Sequence, residues 1–194
     1  MVFCVPLCYN KIVVSAINRN LGVCMMLEFG SDNKEITEKS PNAPFILSIS
    51  DNSDNELIIV IALPKRGEKG EDLDISTYPN NDNPKIQKIL FDSYPVYEDM
   101  ERVYEIKFES YIIYQCRNES YTYWQKDEVR KGKYLIIFEK SRFLDYYESV
   151  IFDFDSDDWK SNRKHYGIYT ENHIIDVIAK ETLNKAPFTE QKSK

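Results

Sequence analysis

The segment HYGIYTENHIIDVIA, residues 165–179, carries both histidines of the chain, His165 and His173. Two imidazoles so close in sequence raise acid–base chemistry or a shared metal ion. Their neighbours set the geometry. HYGIY and HIIDVIA have strand composition, and TEN (170–172) makes a three-residue turn between them. In that hairpin Tyr169 faces His173, Gly167 faces Ile175 and His165 faces Val177, so both histidines share a face. His165 then lies four residues up the strand, roughly 13 Å from the turn at about 3.3 Å per residue, too far for one metal ion to join the pair. A helix capped by Asn172 would reopen the geometry, but the β-branched residues early in HIIDVIAKE disfavour it. Asp176 falls on the other face, opposite Tyr166, whose hydroxyl can donate to it. An unpaired buried carboxylate would be costly.

Other constellations are weaker. Ser141, Asp145 and His165 assemble a hydrolase triad on paper, yet there is no G-x-S-x-G elbow and Ser141 is better placed as a helix cap. Glu119, Glu139 and Glu148 offer glycosidase-type acids, as any acidic chain does. DFDSDD (153–158) starts like a calcium loop, but Asp158 stands where glycine is needed and Lys164 where glutamate is needed. Cys4, Cys8, Cys24 and Cys116 form no CxxC pair and no disulfide framework, which points to a reducing cytoplasm. The six glycines build neither a P-loop nor a G-x-G-x-x-G turn. The reading assigns no catalytic residue, no metal and no cofactor. An enzyme, a hydrolase using His165 or His173 with a nearby carboxylate, is the alternative function; it requires a concave pocket holding a histidine within reach of Asp or Glu.

CRNESYTYW (116–124) is the most unusual stretch. Its alternating aromatics suit a sheet, and Trp, Tyr and Arg also anchor protein interfaces. Asn118-Glu119-Ser120 is a glycosylation sequon, relevant only to an exported chain. The formal net charge of −7, from 32 acidic and 25 basic side chains, opposes nucleic acid and anionic membranes unless a basic patch is concentrated. RKGK (130–133) and KSNRK (160–164) are short, and the second adjoins an acidic run. The charge suits a basic protein partner.

The elements that must position these residues read as follows. Residues 1–26 are apolar and lack acids. No basic residue precedes Val2, as a signal peptide would require, and Asn10 and Lys11 interrupt the run short of the ~20 residues of a membrane span. LGVC (21–24) is lipoprotein-like except for the bulky Val23. The segment is read either as an added strand or as preceding a start at Met25 or Met26. Residues 28–44 are turn-rich. FILSIS (45–50) and ELIIVIAL (56–63) form a hairpin across DNSDN. Residues 65–84 read as a long mobile loop, and 85–94 as a short helix with Ile86, Ile89 and Leu90 on one face, stopped by Pro95. RVYEIKFES (102–110), YIIYQCRNE (111–119) and YLIIFEK (134–140) are strands, the last after a turn at RKGK. SRFLDYYESVIF (141–152) is a helix capped by Ser141, with Phe143, Leu144, Tyr147, Val150 and Ile151 on one face. This order predicts an α+β fold: a mainly antiparallel sheet with one or two packed helices, one domain over 27–183 and a flexible tail over 184–194.

KFESYIIYQCRNESY, FEKSRFLDYYESV and KHYGIYTENHIIDVI together resemble a group of small uncharacterised bacterial proteins, mainly from Gram-positive bacteria. The likeness spans roughly residues 100–180 and carries over no catalytic residue. Small acidic α+β proteins of this type often act as immunity proteins beside secreted toxins, an analogy of class alone. The expectation is a cytoplasmic, protein-binding inhibitor that masks a basic partner. Arg117, Glu119, Tyr121, Tyr123 and Trp124 would be its anchors, with Asp155, Asp157 and Asp158 as steering charges. A fully buried Tyr123 and Trp124 would defeat that assignment. A ligand sensor, which would need an apolar pocket, is a third reading. Oligomeric state is left open.

Overall fold

Apolar residues alternate along the middle strands, and that alternation builds two sheets facing each other. The computed structural model describes residues 12–16, 27–34, 42–70, 76, 79–80, 82–123, 125–150 and 162–180. In order, the described elements are β1 (Ile12–Ala16), β2 (Phe45–Asp51), β3 (Leu57–Arg66), α1 (Pro84–Asp92), β4 (Val96–Phe108), β5 (Tyr111–Asn118), a 3₁₀ turn (Glu119–Tyr121), β6 (Val129–Lys131), β7 (Leu135–Lys140), α2 (Arg142–Val150), β8 (Arg163–Tyr169) and β9 (His173–Lys180). One antiparallel sheet runs β1-β4-β3-β2, the other β5-β9-β8-β7-β6. The α+β class read from the sequence is the one observed.

The core lies between the sheets. Leu57, Ile59, Ile61 and Leu63 of β3 and Tyr104, Ile106 and Phe108 of β4 meet Leu135, Tyr166, Ile168, Ile175 and Val177 from the other sheet. Each fully buried Leu or Ile contributes roughly 1.5–3 kcal/mol of transfer free energy. The Phe29 ring packs edge-on to Phe108 and Tyr166, closing one end.

The FILSIS–ELIIVIAL hairpin forms as expected, as β2 and β3. β4 starts earlier than its alternation suggests, because a bulge hides the pairing. Ala62 pairs with Val103 but Leu63 pairs with Asp99, so residues 100–102 are extra. Arg102 folds in at that bulge, holding Asp99 at 2.6 Å and the Pro64 carbonyl at 2.7 Å. Val129–Lys131 pair with β7, which narrows the RKGK turn. Gly132 is required there: its φ is +93°, and a Cβ would sit 2.6 Å from the Leu135 carbonyl oxygen. The helix expected over 85–94 exists as α1, but none of its residues is buried, and Ile89 is 68% exposed. Residues 71–75, 77–78 and 81 of the 65–84 loop lie outside the described residues, Lys65 and Arg66 belong to β3, and Pro84 opens α1. No described helix is long and apolar enough to cross a membrane.

The β8–β9 hairpin forms, but one residue out of the expected register. Tyr169 pairs with Ile174, Gly167 with Asp176, Tyr166 with Val177 and His165 with Ile178. Thr170 joins the pairing opposite His173 and leaves Glu171 and Asn172 at the tip: the Thr170 amide donates to the His173 carbonyl, and the His173 amide donates to the Thr170 hydroxyl. A one-residue slip moves side chains to the opposite face. His165 and His173 therefore lie on opposite faces, and Asp176 shares the face of His165 rather than that of Tyr166.

Candidate functional site

That slip assembles the site. The five-stranded sheet has an inner face on the core and an outer face bearing Gln115 and Arg117 from β5, Ile174, Asp176 and Ile178 from β9, His165, Gly167 and Tyr169 from β8, and Ile136 and Phe138 from β7. At one end α2 covers this face, packing Phe143 and Tyr147 on Ile178. At the other, Ile136, Phe138, Tyr169 and Ile174 form a small apolar cluster. Gly167 has no side chain to interrupt it, and a Cβ there would lie 2.7 Å from the Tyr169 ring and 2.9 Å from Phe138. Between helix and cluster opens a cavity of about 330 Å³, lined by Arg117, Tyr123, Glu128, Tyr146, His165 and Asp176 among others. A second, of about 350 Å³, shares Thr122 and Tyr169 with the first and reaches Glu119, Arg130 and Lys133.

Asp176, 1% exposed, is the hub. Its Oδ2 accepts from Arg117 Nη2 at 2.7 Å, Arg117 Nε at 2.9 Å and Gln115 Nε2 at 2.9 Å, and its Oδ1 lies 2.9 Å from His165 Nε2. Burial alone would raise the Asp176 pKa. The His165 hydrogen bond and charge, with Arg117 and Gln115, outweigh it and hold the carboxyl below its usual range. An ionised carboxylate only accepts, so His165 Nε2 carries the proton in that bond. His165 Nδ1 sits 2.8 Å from Ser141 Oγ, and Ser141 Oγ accepts the Leu144 amide at 3.1 Å. Ser141 is thus the α2 cap the sequence indicates, with a second role on His165. The imidazole is clamped by Phe138, stacked at 4.1 Å, and by Phe143, edge-on at 5.3 Å. Burial and the Asp176 charge also push the Tyr169 hydroxyl to about 12, and they raise the Cys116 thiol.

Chemically this is a Ser–His–Asp chain, but with Asp176 in place of Asp145, which stands exposed on α2. Both imidazole nitrogens are committed to side chains, and Ser141 is 1% exposed with its oxygen holding the helix N-terminus. Glu139 pairs with Lys131 at the surface and Glu148 stands exposed on α2, so neither joins Asp176. Among the described residues no three His, Cys, Asp or Glu side chains gather as a metal site.

Of the anchors read from the sequence, Arg117 lines the first cavity with its guanidinium braced on Asp176. Tyr123 also lines it and is 72% exposed, while Tyr121 is 90% exposed. Glu119 is exposed and lines the second cavity. Trp124, Asp155, Asp157 and Asp158 lie outside the described residues, as does the whole DFDSDD loop. Gln115, Arg142, Tyr146 and the Asp176 hub were not singled out as site residues from sequence. Gln115 and Arg117, two apart on one strand, carried a signal, but only the register shows that Asp176 faces them.

A scan against protein-family models, a search of curated proteins and a search of solved structures each found no match for this chain.

Proposed function

We propose that the chain is a cytoplasmic, protein-binding inhibitor of the immunity type, which masks a basic partner through the rim of the outer-face cavity. The observation that carries this reading is the exposure of Tyr121 and Tyr123, at 90% and 72%, with Tyr123 lining the cavity that also holds the braced Arg117. Large aromatic side chains left in water next to a fixed guanidinium are the groups that anchor protein interfaces. The net charge of −7 supports a basic partner and fast encounter. The test is affinity capture from lysate of the native organism. A basic protein held at one-to-one stoichiometry and released by high salt is expected; an acidic partner, or one indifferent to salt, contradicts the reading.

A hydrolase is the second reading, favoured by the pocket that holds His165 within 2.9 Å of Asp176. The buried, helix-capping Ser141 and the fully committed imidazole favour a structural role for the chain of hydrogen bonds instead. A fluorophosphonate serine probe distinguishes the two. No labelling is expected; labelling abolished by Ser141→Ala would establish the hydrolase.

A further inference from the structure

The outer-face cavity sets one fully engaged carboxylate, Asp176, beside guanidinium groups that are only partly engaged. Asp176 already takes four hydrogen bonds. Glu128 accepts the Arg142 amide at 3.2 Å. Arg117 uses Nε and Nη2 on Asp176, and its Nη1 has no partner among the described residues. Among the described residues the Arg142 guanidinium touches only Asp127, at 3.5 Å with both side chains more than half exposed. Two guanidinium groups therefore border one cavity with N–H groups unused, and one is locked in plane by its carboxylate. A locked guanidinium loses little rotamer freedom on meeting a ligand, which favours planar, two-oxygen anions. The remaining wall is aromatic. Phe143 and Tyr146 stack at 6.4 Å with their planes 12° apart, and Phe138 and Tyr123 also border the space. Flat apolar ligands suit such walls.

We propose that this cavity is a binding site for a small aromatic carboxylate. Its carboxylate bridges Arg117 Nη1 and Arg142, and its ring lies among Tyr146, Phe143 and Tyr123. The site shares Arg117 and Tyr123 with the partner rim, but its test reads benzoate in the cavity and not capture of a protein, so failure of one reading is distinguishable from failure of the other.

The experiment is an amide chemical-shift titration of the full chain with benzoate, and in parallel with benzamide, which has the same ring and no charge. Benzoate is expected to saturate, shifting residues 115–117 and 142–146, with benzamide roughly tenfold weaker for want of the charge-assisted bond. Arg117→Lys keeps a cation for Asp176 but removes the forked donor, so the fold is retained and benzoate binding falls about fivefold. Arg142→Gln, at an exposed position, weakens it similarly without touching the Asp176 network. Equal affinity for benzamide, no saturable shift with benzoate, or full binding by both variants would overturn the site.

Discussion

At the scale of single residues, Asp176 holds the outer face together, and its replacement shows how much depends on it. Asp176→Ala leaves Arg117 and His165 facing an empty acceptor in a site where Asp176 is 1% exposed. Breaking a buried pair this way costs about 3–5 kcal/mol, to be read by urea denaturation. The same residue sets an acid limb. Its pKa is held lower in the folded chain than in the unfolded one, so its stabilisation is complete above the unfolded value of about 3.9 and is lost as pH falls through the folded value. Stability measured from pH 6 downward should fall in the wild type, and that component should be absent in Asp176→Ala. Ser141→Ala removes both the cap on α2 and the Nδ1 contact and should cost about 1–2 kcal/mol. The capping role of Ser141 was legible, since a serine opening an amphipathic run has a single local explanation. The hub was half legible: Asp176 in an apolar strand demanded a partner, but Tyr166 was the wrong one, because identity depends on which residues face each other.

At the scale of elements, the β8–β9 turn decides the site. A three-residue TEN turn and the observed turn, in which Thr170 pairs with His173, differ by one residue in register, and that difference puts His165 and Asp176 on one face. Turn composition could not separate them; Thr170, whose amide and hydroxyl both bond His173, selects the tighter turn with Glu171 and Asn172 at its tip. The C-terminal half of β4 was legible because its polar and apolar residues alternate, and β3 because its β-branched run follows the turn residues DNSDN. The early start of β4 was hidden by its bulge, and the sequence of α1 could not show that none of its apolar residues is buried among the described residues. Gly167 tests the packing of the site's floor. Gly167→Ala must displace the Tyr169 and Phe138 rings, at 2.7 and 2.9 Å, and is expected to destabilise by about 1–3 kcal/mol in thermal or urea melts. An unchanged melt would mean that those rings are loose.

At the scale of the whole molecule, two sheets share one core and leave the second sheet's outer face partly covered. Helix α2 covers one end; the polar network and the tyrosine rim occupy the rest. Asp176, His165 and Ser141 are buried, while Tyr121 and Tyr123 stand in water. The acidic character was readable from composition, since charge is a property of the sum, but which side chains share the outer-face cavity needed the sheet register. Tyr121→Ala and Tyr123→Ala should each leave folding within about 0.5 kcal/mol, as exposed positions do. In a complex, truncation of each anchor should cost about 2 kcal/mol. The most direct measurement is therefore affinity capture with the wild type and the Tyr121→Ala/Tyr123→Ala double variant side by side, with thermal melts of both. The account predicts a stoichiometric basic partner retained by the wild type and lost by a variant that melts at the same temperature. Equal retention of that partner by the double variant would contradict it.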